Sequence, residues 1–84
     1  MIIELTSHAE RQWERLQRNA TLFTRIEQAL DAIASDYLVG KPLVSNLAGM
    51  WSYRVGDYRI LYEVRLDRDT ILIHEIAHRK EVYR

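Results

Sequence analysis

A glycine–aspartate pair, Gly56-Asp57, separates two stretches of chain in which large apolar and polar residues alternate. A two-residue loop of this kind closes a tight β-hairpin, and the alternation is that of strands with one buried face. If these two residues form the loop, Val55 pairs with Tyr58, and Arg54 lies directly opposite Arg59. The turn therefore predicts the hairpin register, and it places two arginines side by side on one face of a sheet.

The first part of the chain carries a helical pattern instead. Apolar residues recur at three- and four-residue spacing over residues 8–18 and again over residues 22–35. Thr6 and Ser7 can both cap the first of these segments, and Glu10, three residues after Ser7, completes a capping box. Two short antiparallel helices, each with one apolar face, are predicted.

Two further apolar runs complete the predicted fold. Residues 2–5 and 71–77 are typical of strands. Residues 37–49 are predicted to form a linker, in which Gly40 and Pro42 prevent the helix from continuing. The order β-α-α-β-β-β predicts an α+β fold, with a small antiparallel meander sheet packed on a two-helix hairpin. At this length the chain is expected to form a single domain, residues 1–84.

Composition excludes several classes of protein. The chain has no cysteine, which excludes a disulfide framework, and no apolar run near the roughly 20 residues that span a bilayer. The start of the chain lacks the features of a secretory signal, so a cytoplasmic location and no membrane partner are expected. Twelve Lys and Arg balance twelve Asp and Glu, so net charge alone does not predict nucleic-acid binding, although ten of the twelve basic residues are arginine.

The register of the third strand decides which residues join the two arginines. With a four-residue loop over residues 67–70, Arg59 is expected to lie level with His78, and His74 opposite Glu63. His74 and His78 are spaced four residues apart, but they have no evident third ligand beside them. No metal site and no cofactor are therefore predicted.

Basic and aromatic side chains of the hairpin, the last strand and the tail are expected to gather at one end of the sheet: Arg54, Arg59, His78, Arg79, Lys80 and Tyr83. Guanidinium groups present a fixed fork to phosphate, and facing arginines gain when an anion binds between them. Such a set, without paired carboxylates or cysteine, is typical of a metal-free phosphodiester-cleaving site. The alternative, in which the arginines extend into water or pair with an acid such as Glu63, costs roughly a few tenths of a kcal/mol and stays open.

Two segments carry a family pattern: W-S-Y-R-V-G-D-Y-R-I-L-Y at residues 51–62 and I-A-H-R-K-E-V-Y-R at residues 76–84. They resemble the RelE/ParE superfamily of toxin–antitoxin systems, most closely its RelE-like branch. The resemblance implies a type II toxin, a ribosome-dependent endoribonuclease that cleaves mRNA in the ribosomal A site without a metal or cofactor and so inhibits translation. It also implies a cognate antitoxin, in a hetero-oligomer with the toxin, and the ribosome with its mRNA as partners.

The resemblance assigns roles to individual residues. Arg59 would clamp the phosphate, Arg79 would stabilise charge near the leaving oxygen, and Tyr83 would contact the nucleotide. Arg54 stands where RelE proteins carry a lysine that holds the phosphate. Lys80 is expected to add a further phosphate contact from the tail.

A departure from the family pattern concerns proton transfer. Ser52 stands where RelE proteins carry a second lysine, proposed as a base, so it is expected to contact the substrate without replacing that role. His78 or Tyr83 is then the candidate base, unless the ribosome supplies part of the catalysis. Glu63 with His78 is the nearest analogue of a glutamate–histidine pair that some relatives use.

Two other functions fit the same sequence. One is a ParE-like inhibitor of DNA gyrase, which binds protein and performs no chemistry. The other is a catalytically weakened toxin homologue that only binds antitoxin, which would agree with Ser52 and with the zero net charge. In every case an antitoxin is expected to cover Leu61, Leu72 and Ile76, which the alternation places on the outer face of the sheet.

Overall fold

The computed structural model describes the backbone of residues 1–82 and the side chains of residues 1–44 and 46–80. Within these residues the strands are β1 (Ile2–Leu5), β2 (Lys41–Pro42), β3 (Met50–Val55), β4 (Tyr58–Arg65) and β5 (Thr70–His78), and the helices are α1 (Ser7–Leu16), α2 (Ala20–Ser35) and the short α3 (Arg79–Val82). The strands form one sheet in the order β1-β5-β4-β3-β2. The predicted α+β fold is confirmed.

The predicted antiparallel meander corresponds to β3, β4 and β5. One short strand extends it at each edge. β1 pairs in parallel with β5, and β2 pairs antiparallel with β3. β2 lies inside the segment that the sequence predicts to be a linker. A two-residue edge strand is too short to show an alternation, so the sequence pattern does not reveal it.

Side chains of the preceding residues cap both long helices. The Thr6 hydroxyl oxygen accepts a hydrogen bond of 3.1 Å from the backbone N–H of Ala9, so α1 begins at Ser7 with Thr6, not Ser7, as its cap. The Asn19 side-chain oxygen accepts a bond of 3.2 Å from the N–H of Leu22 and begins α2. No helix in the described part of the chain is long and apolar enough to cross a bilayer.

The core lies between the two long helices and one face of the sheet. Val55, Ile60 and Tyr62 of the hairpin are buried there, as their alternation predicts. The residues that pack with them from α2 and β5 include Ile26, Ile33, Ile71 and Ile73. The opposite face of β3 and β4, which carries Ser52, Arg54 and Arg59, therefore points away from the helices.

A β-bulge in β5 changes the predicted register. Tyr62 pairs with Ile73 but Leu61 pairs with Glu75, so His74 is an extra residue. An extra residue exchanges the two faces of the strand beyond it. As a result Ile76 is buried in the core, with 2% exposure, and its predicted place on the outer face is wrong.

The position of the β4–β5 connection changes the expected partners of Arg59 and Glu63. Arg65 pairs with Thr70, so the connection spans residues 66–69 and not the predicted 67–70. Arg59 pairs with Ala77, while His78 pairs with Tyr58, so the predicted pairing of Arg59 with His78 is wrong. Glu63 pairs with Leu72 in the backbone register. Its side chain nevertheless reaches His74, with 3.0 Å between His74 Nε2 and Glu63 Oε1.

Candidate functional site

A cavity of about 300 Å³ opens beside the β3–β4 hairpin and collects most of the basic residues singled out from the sequence. Its cationic lining residues are Lys41, Arg54, Arg59 and Arg79, its other polar ones are Ser52 and Asp57, and its apolar and aromatic ones are Val39, Leu43, Tyr53 and Tyr58. Four cationic residues and one acidic residue line this cavity, so its charge is positive.

The two hairpin arginines lie directly opposite each other. Arg54 and Arg59 are Cα partners across β3 and β4, in the register that the turn predicts. Directly opposite residues have Cβ atoms roughly 4.5–5.5 Å apart, at which distance like charges destabilise a strand pair. Both side chains line the cavity, so an anion bound there would relieve the repulsion between them.

Arg79 is held at the same end of the sheet through its backbone. It begins α3, and its N–H donates a hydrogen bond of 2.8 Å to the carbonyl oxygen of Asp57 in the hairpin turn. Gly56 adopts a positive φ of 60°, which this tight turn requires and which other residues rarely adopt. The turn therefore brings the start of α3 to the arginine pair.

Among the residues with described side chains, acids do not balance the positive charges of this site, because four cationic residues and one acidic residue line the cavity. Among the residues whose side chains the structure describes, no carboxylate lies within 4.0 Å of Lys41, Arg54, Arg59 or Arg79 in an ion pair. Asp57 is the acidic residue among those that line the cavity. A chain with zero net charge thus concentrates positive charge at one place.

The other predicted site residues lie elsewhere. The rings of His78 and Tyr58 pack in a T-shaped arrangement, with centroids 5.4 Å apart. The His78 Nδ1 accepts a hydrogen bond of 3.2 Å from the backbone N–H of Lys80. In the described part of the chain, neither His78 nor Lys80 lines the cavity. Tyr83 lies outside the described residues.

Glu63 belongs to a separate cluster. Its carboxylate contacts His74 Nε2 and Arg65 Nε, each at 3.0 Å. The hydrogen bond from His74 and then that from Arg65 hold the pKa of Glu63 below its usual value. The suggested pairing of Glu63 with His78 is therefore wrong, because Glu63 lies further along β4 and is occupied by other partners.

Sequence patterns did not predict Lys41 as a site residue. It stands in the two-residue strand β2, directly opposite Ser52, and lines the cavity with the three arginines. Nothing in the local sequence marks it except its position just after Gly40, at the end of the helical region.

Comparison with known proteins places this chain in a family. Residues 3–83 match a family model described as the ParE toxin of the type II toxin–antitoxin system parDE. Toxin RelG of Mycobacterium tuberculosis (strain ATCC 25618 / H37Rv) is 46% identical over 46 residues, which are 55% of this chain and 53% of that protein. The match thus spans about half the length of this curated relative.

Solved structures agree with the family model. A chain of the toxin–antitoxin complex RelBE2 from Mycobacterium tuberculosis is 33% identical, with a TM-score of 0.79 over 92% of this chain and 95% of that chain. The YoeB/ParE toxin from Agrobacterium tumefaciens shares the fold, with a TM-score of 0.83 at 21% identity over 93% of this chain and 98% of that chain. The chain belongs to the RelE/ParE superfamily of toxins from type II toxin–antitoxin systems.

Proposed function

We propose that the protein is a ribosome-dependent endoribonuclease that cleaves mRNA in the ribosomal A site and so stops translation in the cytoplasm. The observation that carries this proposal is the arrangement of Arg54, Arg59 and Arg79 around one cavity. Such a cluster suits the scissile phosphate of an RNA chain, since each guanidinium can donate two hydrogen bonds to phosphate oxygens.

The proposed chemistry is internal transfer of the phosphate. The RNA 2′-oxygen attacks phosphorus, the bond from phosphorus to the 5′-oxygen breaks, and a 2′,3′-cyclic phosphate and a 5′-hydroxyl form. The 2′-hydroxyl loses its proton and the 5′-oxygen gains one, so no proton is consumed overall. Arg59 and Arg54 hold the non-bridging oxygens, and Arg79 stabilises charge on the leaving oxygen.

Arginine stays protonated at neutral pH, so it stabilises charge and does not transfer protons. We assign proton transfer to Tyr83 of the C-terminal segment or to a group that the ribosome supplies, because His78 lies outside the cavity. Lys80 and Ser52 remain proposed substrate contacts.

The charge distribution supports the proposed dependence on the ribosome. A nuclease that captures free RNA uses a broad basic surface, whereas this chain has zero net charge and a local basic cavity. One phosphate can bind there, but long-range attraction to RNA is weak. A ribosome that presents mRNA to the site would replace that attraction.

The test is to map mRNA 5′ ends after adding purified protein to programmed ribosomes, with the same mRNA without ribosomes beside it. The wild-type protein is expected to cleave ribosome-bound mRNA, and Arg59→Ala to lower the rate by about 10²-fold or more. Arg68→Ala, which removes one exposed charge in the β4–β5 connection, serves as the matched control. No cleavage on ribosomes, or equal cleavage by Arg59→Ala, would contradict the proposal.

A second candidate function is inhibition of DNA gyrase by protein binding, because the matching family model is described as a ParE toxin. A supercoiling assay with purified gyrase distinguishes it. Inhibition of supercoiling without mRNA cleavage would favour this function, and neither activity would favour a homologue that only binds antitoxin.

A cognate antitoxin is the proposed partner in either case. The RelBE2 chain to which this protein is similar comes from a toxin–antitoxin complex. Leu61 and Leu72 stay partly exposed on the outer face of the sheet, where an amphipathic segment could cover them. Co-purification with the product of the adjacent reading frame would test the pairing, and failure to co-purify would count against it.

A further inference from the structure

Lys41 extends the cationic site in a direction that the arginines do not cover. In antiparallel strands, directly opposite residues project to the same face, so Lys41 lies beside Ser52 on the face that carries Arg54. Ser52 precedes Arg54 by two residues, which is roughly 6.5 Å along a strand. The lysine therefore lies on the side of the arginine pair that is remote from the turn.

The order of the basic residues along the hairpin matches the order of atoms in the reaction. The Arg79 backbone is hydrogen-bonded to the turn at Asp57. The facing arginines come next along the strands, followed by Lys41 and its partner Ser52. Attack on phosphorus places the entering and leaving oxygens on opposite sides of it. With the phosphate on the arginine pair and the leaving oxygen toward Arg79, the 2′-oxygen points toward Lys41.

The fold holds the Lys41 backbone closely against β3. Tyr62 Oη donates a hydrogen bond of 2.6 Å to the carbonyl oxygen of Tyr37, which fixes the chain just before β2. A Cβ on Gly40 would meet Tyr62 Oη and lie 2.9 Å from the Ser52 carbonyl oxygen, so only glycine fits there. After β2, the Leu43 N–H donates a bond of 2.8 Å to the carbonyl oxygen of Met50.

We propose that the Lys41 ammonium group contacts the substrate on the nucleophile side of the scissile phosphate, where it stabilises charge on the 2′-oxygen and provides from β2 the positive charge that Ser52 lacks. This inference rests on the proposed endoribonuclease function. An ammonium group is a compact charge with three donors, suited to a single oxygen, whereas the arginine forks suit the phosphate.

The test measures single-turnover cleavage of a defined mRNA on programmed ribosomes by the full-length protein. Lys41→Gln and Lys41→Ala are each expected to lower the rate by about 10²-fold. Their unfolding temperatures should match that of the wild type, because the Lys41 side chain is exposed. Arg68→Ala makes the same change in net charge far from the cavity and should cleave at the wild-type rate.

A rescue experiment separates a substrate contact from a structural role. Since Lys41 and Ser52 are paired, Ser52→Lys in the Lys41→Gln background returns an ammonium group to the same place from the neighbouring strand. This double variant should cleave mRNA at least about tenfold faster than Lys41→Gln alone. A merely structural contribution of Lys41 to β2 would not be restored by a change in β3.

The outcomes distinguish the two proposals. If Arg59→Ala is inactive but Lys41→Gln cleaves as fast as the wild type, the role of Lys41 is overturned and the endoribonuclease function stands. A folded double variant no faster than Lys41→Gln also overturns it. If the wild-type protein cleaves no mRNA on ribosomes, both proposals fall together.

Discussion

The backbone N–H of Arg79 donates a 2.8 Å hydrogen bond to the carbonyl oxygen of Asp57. This bond joins the end of β5 to the β3–β4 turn, two places that are far apart in sequence. It uses only main-chain atoms, so it positions Arg79 without occupying the guanidinium group. The side chain stays exposed and available to a ligand in the cavity.

Arg79→Ala should therefore separate activity from stability. We expect the rate of mRNA cleavage on ribosomes to fall by about 10²–10³-fold, the usual effect of removing one preorganised charge that acts on a transition state. The unfolding temperature should stay within error of the wild type, because the backbone bond remains. Arg79→Lys, which keeps the charge, should recover part of the rate; a large loss of stability in Arg79→Ala would contradict this reading.

Removal of one of the facing arginines should stabilise the folded protein and at the same time lower the rate of mRNA cleavage. Like charges directly opposite on a strand pair are destabilising, so Arg54→Gln is expected to raise the free energy of unfolding by about 0.2–1 kcal/mol. The gain should shrink with added salt, which screens the repulsion. Urea unfolding in low- and high-salt buffers free of phosphate and sulfate measures this, with Arg68→Gln as control; a loss of stability would refute it.

Glu63→Gln should leave cleavage unchanged, because Glu63 contacts His74 and Arg65 and does not line the cavity. The pKa of Glu63 is lowered in the folded state, so its contribution to stability is present above the usual carboxyl value of 4.5 and is lost as the pH falls below it. With about a third of the side chain exposed, that contribution is under about 1 kcal/mol.

The measurement for Glu63 is urea unfolding of both proteins at pH 7 and near pH 3. The wild type should be slightly more stable than Glu63→Gln at pH 7, and the difference should become smaller near pH 3. Loss of mRNA cleavage in a folded Glu63→Gln protein would instead return Glu63 to the catalytic set.

Tyr62→Phe should weaken the protein in a pH-dependent way. It removes the hydrogen bond from the buried Tyr62 hydroxyl to the Tyr37 carbonyl, which costs about 1–2 kcal/mol at neutral pH. Burial raises the pKa of Tyr62 to about 12, against an opposing backbone hydrogen bond with Gly40. Above pH 10 the unfolded chain loses this proton first, so the stability due to Tyr62 falls as the pH rises, by up to about 1.4 kcal/mol per pH unit.

Urea unfolding at pH 9 and pH 11 checks this expectation. The advantage of the wild type over Tyr62→Phe should be full at pH 9 and smaller at pH 11. A difference that stays constant over this range would show that the Tyr62 hydroxyl has no raised pKa in the folded protein.

Local patterns predicted much of this molecule. The Gly56-Asp57 turn fixed the pairing of Arg54 with Arg59, because a two-residue loop leaves one register for the strands that it joins. The helical spacing before residue 36 and the alternation after residue 50 predicted the helices and the meander, because each period reflects one buried face. Arg79 was expected near the arginine pair, and the structure places it there.

Two features had no local signal. The extra residue His74 in β5 turns Ile76 into the core and places His78 on the face of the sheet opposite Arg59. A strand with one inserted residue has the same local sequence pattern as a regular strand. The strand β2 has two residues, so Lys41 shows no period by which its face could be assigned. Both errors concern which side chains meet across strands.

By itself, then, the amino-acid sequence determined the elements, the hairpin register and the facing arginines, since these depend on neighbours within a few residues. Only the tertiary structure decided that Lys41 rather than His78 lines the cavity with Arg59. The physical reason is that strand bulges and edge pairing are set by the packing of distant segments. For β2 these contacts are the Tyr62 hydroxyl bond to Tyr37 and the close approach of Gly40 to β3.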